Sequence, residues 1–143
     1  MQTEFPSSIP YDGSADDAPV SKLWYDVIIE GLRQGCERIH VTLTGDSTEF
    51  VIRACRAGAW EDLIRLPTQM YGLVLRRLKV MANLDLVRRV SFEEGRFTLA
   101  HRDSSFEIRA TVRLRDDGQE EAMVDLPALP PNKRLKLAAR VGY

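Results

Sequence analysis

Histidine and cysteine are scarce in this 143-residue chain: His40 and His101, Cys36 and Cys55 are all there are. No HxxxH, HExxH or CxxC spacing joins them, which excludes the ordinary zinc sites. Two distant cysteines read as reduced thiols and small buried apolar residues rather than a disulfide framework. A Cys-His pair, Cys36 or Cys55 with His40, would have to be built in space, because no nucleophile–base spacing marks a hydrolase. Glycine-rich phosphate motifs are missing too. There is neither a GxxxxGK[ST] nor a GxGxxG, so the chain is not expected to hydrolyse ATP by itself. No apolar run reaches the roughly 18 residues that cross a bilayer. Charge of one sign is also lacking: 20 Lys and Arg face 21 Asp and Glu, a net charge of -1. Without a basic excess or interleaved aromatics, no nucleic-acid partner is expected. The first residues, MQTEFPSSIPYDGSADDAP, have no basic segment followed by an apolar one and so are not a secretory signal; a cytoplasmic address is the expectation.

What is present is the composition of a folded domain, 44% hydrophobic and 29% charged. Residues 1–18, rich in Pro, Ser, Gly and Asp, read as a flexible arm. A domain follows over 19–126, and 127–143 form a Pro-rich then basic tail. Within the domain, Val20, Leu23, Trp24, Val27, Ile28 and Leu32 recur at helical spacing, with Ser21 as candidate N-cap and Gly35 as stop. Alternation from Glu37 to Thr44 predicts a strand with Ile39, Val41 and Leu43 on one side and His40 and Thr42 on the other. Thr48 to Cys55 and Trp60 to Leu66 predict two more, with turns at Gly45-Asp46-Ser47 and Ala57-Gly58. Pro67-Thr68 opens a second helix whose core face carries Met70, Val74, Leu78 and Met81. Arg76, Lys79 and Asn83 fall on the other face, towards solvent or a partner. Strands over Arg96–His101, Phe106–Leu114 and Glu120–Leu126 complete an α+β fold: helix, three strands, helix, three strands, in an antiparallel or mixed sheet with two main helices. The last residues, with Lys133, Arg134, Lys136 and Arg140 around Leu135, Leu137 and Val141, could form a basic amphipathic helix or stay unstructured.

The run Leu63 to Phe97 carries a resemblance. Lys79-Val80-Met81-Ala82-Asn83-Leu84-Asp85-Leu86 is similar to the K-x-M-A-x-L-D-I signature of the small N-terminal domain of type II secretion and type IV pilus-assembly ATPases. Arg89 to Phe97 partly fits the charged R-R-x-P-Q-D-G-R-F loop that follows it there, with Phe92 and Glu93 where that family has Pro and Gln. Glu107-Ile108-Arg109-Ala110-Thr111 looks like its D-L-R-V-S strand. Arg53 fits the first arginine of an R-x-R-x-D-G run, in which Cys55 and Ala57 replace the second arginine and the Asp. His40 stands where the family's D-I-H strand has its His. The resemblance implies that Arg96, Arg109 and Arg53 are candidates to contact nucleotide phosphate, with the ATP held by a partner motor domain; the missing motifs themselves predict no catalytic residue, metal or cofactor in this domain. Arg76, Lys79, Asn83 and His40 are partner-interface candidates. The implied work is non-catalytic and regulatory: contact with the ATPase motor or an inner-membrane platform protein, in the cytoplasm or peripheral at the inner membrane, with room for a homo- or hetero-oligomer, by a chain that stops where the motor domain would begin. The residues alone leave other readings open. Any strand arginine can simply pair with a neighbouring Glu. A small-molecule or nucleotide sensor could use a pocket lined by Trp24, Trp60 and Phe92.

Overall fold

The computed structural model describes residues 18–43, 48–88 and 90–133. The expected arm, the turn at 45–47, Arg89 and most of the basic tail lie outside them. Helix α1 spans Ala18–Gln34. It begins two residues before the expected start, so Ser21 lies inside it and Pro19 occupies the first turn, where its missing N–H costs nothing. Its end is as expected. Gly35 adopts φ 79°, and Cys36 N–H reaches back to Gly31 O at 2.8 Å while Gly35 N–H bonds Leu32 O at 3.1 Å. That double reverse bond is the glycine-terminated helix stop.

Strands β1 (Arg38–Thr42), β2 (Glu49–Arg56) and β3 (Ala59–Pro67) follow as an antiparallel meander. The β2–β3 turn is two residues, Ala57 and Gly58, at φ 52° and 82°, the positive values that a tight hairpin with the sheet's twist requires. A bulge near Ile52 and Arg53 interrupts the pairing and leaves Leu63 and Ile64 both buried. A single 3-10 turn at Thr68–Met70 leads into α2 (Tyr71–Met81). The second meander is β4 (Phe92–His101), β5 (Ser104–Leu114) and β6 (Glu120–Asp125). β4 begins four residues earlier than expected, so Glu93, Glu94 and Gly95 belong to a strand and not to a loop.

All pairings are antiparallel in one six-stranded sheet of order β3-β2-β1-β6-β5-β4. The α+β expectation holds, with the sheet wholly antiparallel. Two meanders therefore meet at a central β1–β6 seam. Both helices lie on one face. Ile39, Val41, Ile52, Ile108, Ala110 and Val124 point to them and are fully buried with Trp24, Val27, Ile28, Val74 and Leu78. Trp24 Nε1 donates to Val74 O at 2.9 Å, tying the helices together without leaving a buried donor unpaired. The Phe50 and Tyr71 rings meet edge-to-face at 5.0 Å.

The end of α2 explains the signature. Asn83 takes φ 60°, with Leu84 N–H bonded to Lys79 O at 2.8 Å and Asn83 N–H to Val80 O at 3.2 Å. This repeats the stop at Gly35, with Asn in the glycine's place. Ala82 is buried, and its carbonyl lies 2.3 Å from where a Cβ on Gly95 would sit, so β4 can pass the helix end only if residue 95 has no side chain. Asp85 accepts the backbone N–H groups of Val87 and Arg88 at 2.9 and 3.1 Å. Those two donors, Arg88 first, lower its carboxyl to about 2.

Candidate functional site

The sheet's second face is covered by no helix among the described residues, and the strand alternation sends the chemistry-bearing side chains there. The register sets them in rows. One row runs Arg53, His40, Met123, Thr111, Glu94; the next runs Cys55, Arg38, Asp125, Arg109, Arg96. Four positions singled out from sequence, His40, Arg53, Arg96 and Arg109, thus share one face although 69 positions separate the first from the last in the chain.

Asp125 is the hub of the second row. Its Oδ1 accepts Arg38 Nε at 2.8 Å, and its Oδ2 accepts both Arg109 Nη2 at 2.8 Å and Arg109 Nε at 3.1 Å. Glu94 adds a 3.5 Å contact to Arg109. These carboxylates, Asp125 foremost, hold the Arg109 guanidinium charged even more firmly than usual. Four residues earlier on β6, Glu121 pairs with Arg113, and its Oε1 lies 3.4 Å from His40 Nε2. Burial works to raise the Glu121 carboxyl, but Arg113 and His40 outweigh it and hold it below the usual carboxylate range. A shallow depression of about 230 Å³ opens between these groups, lined by Arg38, His40, Thr111, Arg113, Glu121 and Asp125. Trp60 stands beside it, edge-on to His40 with ring centroids 5.9 Å apart.

What this face can do follows from the pairing. Every candidate phosphate-contacting arginine already has a carboxylate partner: Arg109 has Asp125 and Glu94, Arg53 has Asp62 at 3.2 Å, and Arg96 has Glu107 at 3.5 Å. A phosphate would have to displace those partners. Arg96, with one long contact on an exposed edge, is the most available; Arg109 is the least. Charges of both signs are interspersed on the face, with acidic Asp125, Glu121 and Glu94 among the arginines, a mixture suited to a protein surface of complementary charge. Asp125 and Glu121, which organise the face, were not singled out from sequence, although the alternation of Glu121, Met123 and Asp125 on the last strand was the available signal.

Other expectations resolve differently. Lys79, read as a solvent- or partner-facing residue of α2, is buried (7% exposed). Its Nζ donates to both oxygens of Glu120, at 2.9 and 3.0 Å, because that helix face turns towards the start of β6, where Tyr71 Oη also donates to Glu120 O. Burial pushes the Tyr71 hydroxyl well above its ordinary value. Arg76 is exposed as expected; Asn83 is exposed too, and its backbone ends the helix. Trp24 is fully buried, while Trp60 and Phe92 sit on β3 and β4 at opposite edges of the sheet, so the three cannot line one pocket. Cys36 is buried and its thiol is pushed up by that burial, which opposes a nucleophilic thiolate. Among the described residues no group of three or more His, Cys, Asp and Glu could hold a metal ion, and no helix is long and apolar enough to cross a membrane.

A small α+β domain with one helix-free, ion-paired sheet face, and no phosphate loop in its sequence, is the class that these observations define. The chain belongs to the type II/IV secretion system protein family, whose model matches residues 13–116. It is 27% identical over 123 residues to the type II secretion system ATPase E of Vibrio cholerae, covering 86% of this chain and 24% of that protein. It is 26% identical over 119 residues to the type II secretion system protein E of Dickeya dadantii, again 24% of that protein. With the type IV pilus assembly ATPase PilB of Myxococcus xanthus it shares 30% identity over 86 residues, 60% of this chain and 15% of that one. The chain therefore spans about a quarter of the length of the secretion relatives it matches.

Proposed function

We propose that this chain is a non-catalytic interaction domain of a secretion or pilus-assembly ATPase system, working in the cytoplasm or at the inner surface of the inner membrane. Its helix-free sheet face would dock on the ATPase motor or on the membrane platform that the motor drives. The observation that carries the reading is the face itself: His40, Arg53, Arg96 and Arg109, the residues through which the family resemblance implies contact, all lie on it. The carboxylate partner of each arginine favours docking on a protein over sensing a free phosphate. Arg96, the least engaged, is the position from which a nucleotide held by a motor could be felt.

The test is capture on the immobilised chain of a cognate secretion ATPase or platform protein, with and without a non-hydrolysable ATP analogue. Binding is expected, and changing Arg96 and Arg109 together to Ala should weaken it at least about fivefold, the ordinary effect of removing central interface arginines. Unaltered binding by the double variant would remove the face from the interaction. Retention of neither protein would sink the reading.

A further inference from the structure

The two edges of the sheet are unlike. β3 is blunted by its bulge and by Pro67, the usual devices against edge-to-edge pairing. β4 has neither. It runs ten residues in unbroken register with β5, and no backbone hydrogen bond from another segment reaches residues 93–100 among the described residues. Apolar exposure gathers at the same edge. Apart from Trp60, the large exposed apolar side chains among the described residues are Val80 on α2, Leu86 and Val87 after it, and Phe92 opening β4, with Val87 89% and Phe92 57% exposed. The segment that carries them runs back along β4: Ala82 and Leu84 face Gly95, and Asp85 N–H bonds a Glu93 carboxylate oxygen at 3.3 Å.

The charges of β4 select an occupant. Glu94 and Arg96 flank Gly95 on the helix-free face. When a second β4 pairs antiparallel with Gly95 opposite Gly95, each Glu94 falls opposite the other copy's Arg96, and Phe92 falls opposite Thr98. Centring the pair on residue 94 or 96 instead sets like charges opposite each other, and a one-residue slip between the strands turns facing side chains to opposite faces. We infer that β4 is a self-pairing edge, joining two copies of this chain through a continuous twelve-stranded sheet with a two-fold axis at Gly95.

Sedimentation equilibrium of the full chain tests this. A concentration-dependent dimer is expected, with a Kd of roughly tens to hundreds of micromolar for so small an interface. Glu94→Arg or Arg96→Glu alone makes both cross-strand pairs repulsive and should raise Kd about tenfold or more. Glu94→Arg with Arg96→Glu restores opposite charges and should return Kd to near its starting value. Damage to folding would be worse in the doubly changed chain, so recovery there reports pairing. A wild-type chain that shows no dimer at about 500 micromolar, where a Kd in that range leaves a readily detected fraction paired, would overturn the inference. So would a dimer indifferent to single charge reversal, or one that the double change fails to restore.

Discussion

Gly95 is where the fold is least forgiving. A methyl group there would meet a backbone carbonyl, Ala82 O, and the Leu84 side chain at 2.9 Å, and a carbonyl fixed in a helix stop cannot swing aside. Gly95→Ala should lower stability by about 2 kcal/mol, within the usual cost of overpacking, read as a shifted denaturant midpoint with unchanged slope. The sequence showed this glycine beside an arginine and suggested a phosphate-facing loop; the structure gives the glycine a packing reason. Asp85, in the same signature, behaves as a capping carboxylate. Its folded value of about 2 lies below the ordinary 3.8, so its contribution is complete above the ordinary value and is lost as pH falls from about 4 towards 2. Asp85→Asn should therefore melt at a lower temperature than wild type at pH 7, and the gap should close near pH 2. A gap that persists there would point to packing rather than charge.

Between elements, the decisive contact is the one that periodicity read backwards. Counting at 3.6 residues per turn put Lys79 with Arg76 on an outer face, yet Lys79 bridges α2 to the first residue of β6 from a buried position. The error has a physical source. A long stem lets an ammonium reach a buried carboxylate from the flank of a helix, and only the tertiary partner, 41 residues away in the chain, reveals it. Lys79→Ala would leave Glu120 buried without its counter-charge, and a loss of roughly 3–5 kcal/mol is expected. Replacing both, Lys79→Met with Glu120→Leu, should recover most of it, because two apolar side chains carry no desolvation cost. Chemical denaturation of the two variants checks this; equal losses would mean that the ion pair is not the source of the effect.

Across the whole molecule, what sequence made legible was whatever local periodicity controls. The apolar stripe Val20 to Leu32, the alternation Ile39, His40, Val41 and the Gly35 stop each lie within a short window, and each reappears in the structure. Strand order and face partners are set by register between distant segments, which no window contains. Hence His40 and Arg109 could be named singly from a family likeness, while Asp125, which joins Arg38 to Arg109, could not.

The seam between the two meanders has a kinetic meaning. Each meander pairs strands that follow one another in the chain and can form locally, but the β1–β6 pairing, sealed on one face by Arg38 and Asp125, joins residues 87 apart. Bringing such distant segments together is the slow, entropically costly event in assembling a sheet. The rows of the helix-free face run across that seam, with Arg38 and His40 from one half and Asp125, Glu121 and Arg109 from the other. A half-made molecule therefore displays the separate ingredients of the face but not the face, and a nascent chain acquires this surface in the same step in which it becomes one sheet.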